Sequence, residues 1–356
     1  MRSGPLPPRV APGELQAILA ELGIVPLPKP IMQMSLAEIR KYFGYATTDG
    51  IQKTLLMRNL LWQLYGQVKA GNPPDFVKKQ GFIRGMWYHI KKKFSQHHPL
   101  RGDLYNLMSE QLTLMVRKGL FSYSDFNFRD RDESSWKLGF DNPHLILMGE
   151  KDGFVTIMED LHRAYGCHVL TAGGMPSFMT LNNMVTAMRR YELDLNQTFY
   201  LITFADFDPA GYSIANTLTK HLADSGLKNL FLFDQWGPKK KRPWLELAVP
   251  ANFDKPLSAH KYRLPKATWN DPSTQAWVRL TGGLDGPGWT SGKVTHGLES
   301  DEFDLELIHA LFARAIEPLL TTQQDNIKKR NAMLGLRQDL ENMAIVKFLE
   351  RLKDAA

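Results

Sequence analysis

FYLITFADFDPAGYSIANTL, residues Phe199 to Leu218, is the stretch whose reading decides the fold. Its apolar run, Phe199 to Phe204, reads as a buried strand. The run ends in Asp206-Phe207-Asp208, followed by Pro209 and Gly211. A helical stripe then recurs at four-residue spacing through Ile214, Leu218 and Leu222. Asp208 suits the N-cap of that helix and Pro209 its first position. Two carboxylates therefore stand where a strand ends and a helix begins, the place where open α/β sheets bind ligands. Repelling oxygens one residue apart invite a divalent cation. An acidic pair at a turn can also do no more than cap a helix.

Around that unit the same alternation repeats. HLILM (144–148) reads as a strand followed by Gly149-Glu150-Lys151. The helix after it takes Asp152 as cap, Phe154, Ile157 and Leu161 as stripe, and Gly166 as stop. Cys167 to Leu170 is a second strand, leading through Thr171-Ala172-Gly173-Gly174 to a helix whose Met179, Met184 and Met188 read as core. A further strand, Leu230 to Phe233, ends at Asp234. Four β-α repeats predict a parallel sheet covered by helices on both faces.

Upstream the pattern is helical. Residues 1–12 are proline-rich, and Pro26, Pro28 and Pro30 break the chain again. Ser35 with Glu38 has capping-box spacing, and residues 50–69 form a long helix with Leu56, Leu60, Leu61 and Leu64 inward. Residues 76–102 hold no acidic residue but carry Lys78, Lys79, Arg84, Lys91, Lys92, Lys93 and Arg101. Phe82, Met86, Ile90 and Phe94 give this helix an inward stripe. Tyr88 lies about 200° around the helix from Met86 and Ile90, so it faces outward with Arg84 one turn away. That face is a place for a phosphate, or else an ordinary solvated basic surface. A helix over 103–119 follows, with Asp103 as cap and Gly119 as stop. Two basic helices and a short turn are compatible with a helix-turn-helix or winged-helix module, with Phe121 to Asp132 as a wing. His97 and His98 read as polar surface. Residues 235–295 show no clear period and include the basic run Lys239 to Arg242, while 323–352 read as a charged helix.

The chain has 356 residues, a net charge of +7 and one cysteine. It is long enough for more than one core, its charge favours an acidic partner such as nucleic acid, and no internal disulfide can form. No His or Cys spacing of zinc type occurs. No apolar run of signal-peptide or membrane-spanning kind is present, so the expected location is intracellular.

In a parallel sheet the turn after the first strand and the turn after the third lie on one edge, which brings Glu150, Asp206 and Asp208 together. Carboxylates at that density raise each other's pKa, and Mg²⁺ with phosphate as a further ligand is the economical occupant.

GEKDGF (149–154), TAGGMP (171–176) and ADFDPAGYSI (205–214) resemble, in order and spacing, the Toprim domain of the topoisomerase VI A subunit and its meiotic double-strand-break relatives. The resemblance covers about residues 75–235 and, more loosely, Gly297 to Leu320. It implies an α/β Toprim domain over 141–322, with an insertion at about 235–295. A mostly helical winged-helix (CAP-like) domain over 31–140 would precede it, flanked by a flexible segment 1–30 and a C-terminal helix 323–356. That family carries its nucleophile in an Arg-x-x-Tyr-Tyr sequence. The matching stretch here is Arg84-Gly85-Met86-Trp87-Tyr88, which assigns the nucleophile to Tyr88 and puts Trp87 in place of the first tyrosine. The arginine that often follows the Gly-x-Pro motif is not evident in PSFMTLNN. The implied activity is Mg²⁺-dependent double-strand cleavage of DNA through a 5′-phosphotyrosyl intermediate, a type II topoisomerase reaction. Tyr88 and Arg84 are then catalytic, Glu150, Asp206 and Asp208 hold the metal, and Lys78, Lys79, Lys91, Lys92 and Lys151 contact double-stranded DNA. The implied assembly is a homodimer, with a separate GHKL-type ATPase B subunit for strand passage. Two alternatives stay open: a Toprim metal-dependent nuclease of plasmid-defence type, and a non-catalytic DNA-binding protein.

Overall fold

The computed structural model describes residues 9–46, 50–74, 82–95, 97–128, 135–206, 208–234, 261–263, 271–281, 296–300, 303 and 305–320. The chain is mixed α/β and divides into two compact units. One comprises Met1–Ser134, Gly174–Thr198 and Asn216–Leu230; the other comprises Ser135–Gly173, Phe199–Ala215 and Phe231–Ala356.

The first unit is built on helices α1 (Pro12–Glu21), α2 (Leu36–Phe43), α3 (Lys53–Lys69), α4 (Ile83–Lys93) and α5 (Tyr105–Arg117). The capping box forms as expected: Ser35 Oγ accepts from Glu38 N, and Glu38 Oε2 accepts from Ser35 N at 2.7 Å. Leu56, Leu60, Leu61 and Leu64 on α3 are all buried. The same helix buries Asn59, whose amide accepts from Val25 N and donates to the carbonyls of Gly23 and Leu55. A buried amide that meets its donors and acceptors in this way pins the segment between α1 and α2 to the core. Arg9 ties two helix ends together by donating to the Val116 and Asp224 carbonyls.

Three expectations for this unit are corrected. Phe82 is exposed at the N-cap of α4, and Trp87 is fully buried in its stead, so the inward stripe is Met86, Trp87, Ile90 and Phe94. Phe82 leaves the stripe because it is the N-cap, with extended backbone at φ −128° and ψ 138°, so helical periodicity does not apply to it. Helix α5 begins at Tyr105 with Leu104 as N-cap, so Asp103 does not cap it. His98 is buried, stacked on Phe94 with ring centres 4.1 Å apart, and its Nδ1 accepts from Leu100 N. The described part of the expected wing, residues 121–128, contains no strand. It forms a 3₁₀ turn at Tyr123–Phe126, closed by Asp125 Oδ2 accepting from Ser122 N and Oγ.

The second unit carries a five-stranded sheet of order β1-β3-β2-β4-β5: β1 Ser135–Lys137, β2 Asn142–Gly149, β3 Cys167–Thr171, β4 Phe199–Phe204 and β5 Leu230–Asp234. Strand β2 pairs parallel with both β3 and β4, as the β-α alternation predicts. Strand β1 was not legible in the sequence and adds an antiparallel edge on β3. Three residues with the burial order exposed, half-buried, exposed offer too short a pattern to read.

Helix α6 (Val155–Tyr165) packs on one face of this sheet together with the helix Leu305–Ile316, numbered α10 here. Leu145, Leu147, Val169 and Ile202 meet Ile157, Leu161, Ile308 and Phe312 there. The alternate residues Ile146, Met148, His168 and Leu201 are equally buried, which is why these strands read as near-continuous apolar runs. Gly166 ends α6 in the left-handed conformation at φ 57°. Asp152 does not cap α6: it opens a 3₁₀ turn, Asp152–Phe154, with no side-chain capping bond.

Three further helices complete the numbering. They are α7 (Phe178–Arg190), whose residues group with the helical unit, α8 (Pro209–Ser225) and α9 (Pro272–Thr281). Met184 and Met188 on α7 are fully buried, as expected of core methionines. Strands β6 (Lys261–Arg263) and β7 (His296–Leu298) pair antiparallel. The basic run at 239–242 and the charged segment 323–352 lie outside the described residues. Among the described residues, no helix is long and apolar enough to cross a membrane.

Candidate functional site

Two neighbouring parallel strands, β2 and β4, end side by side with Gly149 opposite Phe204. The chain leaving β2 proceeds to β3 on one side of the pair, and the chain leaving β4 proceeds to β5 on the other. Connections that part in opposite directions open a crevice at the carboxyl ends of the two strands. Glu150 follows β2 directly, and its backbone N–H donates to the Phe204 carbonyl at 2.9 Å. Asp206 stands two residues beyond β4, and its backbone N–H donates to Glu150 Oε2 at 2.8 Å. Both carboxylates are buried.

Each oxygen of Asp206 is occupied. Oδ1 accepts from Ser300 N at 2.8 Å and from Ser300 Oγ at 2.6 Å. Oδ2 accepts from the Lys151 ammonium at 2.8 Å, and that ammonium also reaches Glu299 Oε2 at 3.0 Å. Burial opposes ionisation of Asp206, yet the bonds from Lys151 and Ser300 prevail and hold its pKa below the usual aspartate value. Burial likewise works against the Lys151 charge, but Asp206 and Glu299 together raise its pKa. Among the described residues, no cation forms an ion pair with Glu150, and Lys151 acts on it only through charge. Burial, aided by the charges of Asp206 and Asp208, pushes its carboxyl up to about 7. Two adjacent carboxyls thus differ in charge state near neutrality, one ionised and paired, the other ready to exchange a proton.

Asp208 takes the role expected from its position. Its Oδ1 accepts from Gly211 N at 2.7 Å and its carbonyl accepts from Tyr212 N, so it caps α8 with Pro209 as the next residue. The glycine is required: a Cβ on Gly211 would stand 2.1 Å from the Asp206 carbonyl oxygen. The Asp-x-Asp-Pro-x-Gly wording therefore describes a helix start folded tightly against the acidic turn before it. Of the three carboxylates expected together, Glu150 and Asp206 are joined through the Asp206 backbone, and Asp208 caps α8 while its charge acts on Glu150. Among the described residues, no group of three or more His, Cys, Asp or Glu side chains is gathered to hold a metal ion. Glu150 and Asp206 nevertheless fit a hard cation that keeps several waters. Two buried carboxylates suit such an ion, and the ammonium seated on Asp206 marks a place where positive charge is stabilised.

Ser300 and Glu299 escaped the sequence reading. Ser300 lies 94 positions from Asp206 and follows β7, beyond a stretch without periodicity. The sole signal was the return of the Toprim-like resemblance at Gly297.

The helical unit presents the other expected residues on α4. Tyr88 is 43% exposed, although its neighbours Met86 and Trp87 are fully buried. The neighbouring Tyr88 side chain interacts with the Arg84 guanidinium and raises its pKa. Its Cζ also lies 5.6 Å from the centre of the Tyr105 ring on α5. Lys91 Nζ stands 5.1 Å from the centre of the Tyr88 ring. Lys92 is exposed on the same helix, whereas Lys78 and Lys79 lie outside the described residues. Tyr88 and Arg84 belong to the helical unit; Glu150, Lys151, Asp206 and Asp208 belong to the sheet unit. Compared with known proteins, the chain matches no protein-family model and no curated protein.

Proposed function

We propose that this chain is a DNA-cleaving transesterase of the topoisomerase VI A-subunit kind, with a Toprim-like sheet unit and a helical unit of winged-helix (CAP-like) ancestry. The observation that carries the reading is the contact between Glu150 and Asp206 at the ends of two adjacent parallel strands. The exposed Tyr88 held by Arg84 on a basic helix supports it.

In this scheme the Tyr88 phenolic oxygen attacks a backbone phosphorus, its proton passing to solvent. The phosphorus–O3′ bond breaks, the 3′ oxygen takes up a proton, and the 5′ phosphate stays joined to Tyr88. Arg84 stabilises the charge that builds on the non-bridging oxygens and keeps the phenol oriented. A Mg²⁺ ion held by Glu150 and Asp206, with Asp208 alongside, supplies Lewis-acid charge at the phosphate when bound. Lys151 is already positioned at the acidic pair and can pass from Asp206 to a phosphate oxygen. Lys91 and Lys92 neutralise backbone phosphates on double-stranded DNA. Cutting two strands calls for two copies related by a twofold axis, and strand passage calls for a separate GHKL-type ATPase subunit.

The test is covalent trapping. The purified chain is incubated with supercoiled DNA and Mg²⁺, denatured rapidly, and assayed for protein-linked DNA ends. Adducts lost in both Tyr88→Phe and Asp206→Ala are the expected result. Free ends that persist in Tyr88→Phe and vanish in Asp206→Ala would replace the transesterase with a hydrolytic nuclease. DNA binding without cleavage, unaffected by Asp206→Ala, would make the chain a non-catalytic binding protein.

A further inference from the structure

We propose that Tyr105 is a positioning residue, whose ring on α5 holds the Arg84 guanidinium of α4 in place against Tyr88. The inference rests on the reading of Tyr88 as the nucleophile. Arginine has a long side chain that surrenders much rotamer freedom when it is held in one geometry. Arg84 is exposed and makes no ion pair among the described residues; Asp103 acts on it through charge alone. Besides Tyr88 on its own helix, what supports it is an aromatic face, with Cζ 5.6 Å from the Tyr105 ring centre.

That choice of support has a chemical consequence. A carboxylate in the same place would neutralise the guanidinium and compete with an incoming phosphate. A ring attracts the cation through its quadrupole and leaves its full charge and its N–H donors available to an anion. The arrangement continues along α4: Arg84 and Tyr88 are one turn apart, and Lys91 Nζ lies 5.1 Å from the Tyr88 ring centre. Tyr105, Arg84, Tyr88 and Lys91 alternate ring and cation. Tyr105 is the member contributed by a second helix, as the first residue of α5. It therefore ties the position of Arg84 to α5 as well as to its own helix.

The test is a double-mutant cycle on the full chain, read by the rate of Tyr88–DNA adduct formation at saturating DNA. Tyr105→Leu is expected to slow the adduct about fivefold, the effect of losing one exposed cation–ring contact, without changing the DNA concentration for half-maximal rate. Tyr105→Phe keeps the ring and is expected to stay within about twofold of the unmodified chain. In an Arg84→Ala background, Tyr105→Leu is expected to add nothing further. A second measurement needs no catalysis: the Arg84 Nε–Hε NMR resonance is expected to show a ring-current shift that Tyr105→Leu abolishes and Tyr105→Phe retains. Equal rates for the unmodified chain and Tyr105→Leu overturn the positioning role and leave Tyr88 as nucleophile. The same result follows if the Tyr105→Leu loss persists unchanged without Arg84. Absence of any Tyr88-dependent adduct from the unmodified chain overturns the transesterase reading and the role of Tyr105 with it, whatever the NMR shift shows.

Discussion

Acidification from pH 7.5 to pH 5 should cost the sheet unit stability at His168. His168 lies on β3 with no exposed surface, and its Nδ1 accepts a hydrogen bond from Gly139 N at 2.9 Å. Burial favours the neutral ring and lowers its pKa to about 3. An unfolded histidine titrates near 6.5, so between the two values the unfolded chain binds a proton that the folded chain refuses. Stability is therefore complete above about pH 6.5 and falls as pH drops towards the folded value. At pH 5 the two pKa values give a loss of about 2 kcal/mol, against almost nothing at pH 7.5. Taken alone, that loss is worth about 1 M in a urea midpoint for a typical m-value. Glu150 works in the opposite direction and by a similar amount: a folded pKa of about 7 against 4.5 unfolded adds about 2 kcal/mol over the same interval, so the His168 contribution is read only by difference. His144, in the same unit and also lowered by burial, adds to the His168 loss. The comparison that isolates His168 is with His168→Asn, whose amide oxygen can take the place of Nδ1 as acceptor. The variant should be less stable at pH 7.5 but should lose about 2 kcal/mol less on acidification. If both proteins lose the same amount between the two pH values, the buried neutral imidazole is not the source and the reasoning fails.

Two further substitutions probe the acidic turn. Gly211→Ala would bring a Cβ to 2.1 Å from the Asp206 carbonyl, so backbone must move. A loss of about 2–3 kcal/mol is expected in thermal melts. Gly66→Ala in α3 meets open space and should be stabilising by about 0.5–1 kcal/mol, which separates crowding from a general intolerance of alanine. Ser300→Ala removes the 2.6 Å donor to Asp206 and should cost about 1–2 kcal/mol. It should also weaken Mg²⁺ or Mn²⁺ binding about tenfold by calorimetry; unchanged affinity would mean that Ser300 does not orient Asp206 for a metal.

Strand and helix identity was legible in the stretches whose period is strong. The apolar runs of β2, β3 and β4, the capping box at Ser35, the stop at Gly166 and the cap at Asp208 all appear where local chemistry places them. Those signals are local: a side chain meets backbone three or four residues away, and the choice needs no partner from elsewhere in the chain. The errors occurred where two local solutions compete. At the start of α4, Phe82 continues the four-residue spacing, but the helix begins at Ile83 and leaves it at the N-cap. Near Asp103 a good capping residue lies one position too early for a helix whose N-cap is Leu104. For His98, polarity argued for the surface, and stacking on Phe94 buried it.

The candidate site divides along the same line. Sequence alone determined that Glu150 and Asp206 follow strands of one parallel sheet, and that Tyr88 and Arg84 share the outward face of a basic helix, because periodicity and strand order fix direction. Tertiary structure decided the rest. It made Glu150 and Asp206 unequal by giving one of them Lys151 and Ser300 and leaving the other to burial. It turned Asp208 onto its own helix and placed the Tyr105 ring under Arg84. Charge state and side-chain orientation depend on atoms within a few ångströms in space, and residues 94 positions apart, such as Asp206 and Ser300, become such neighbours only when the chain has folded.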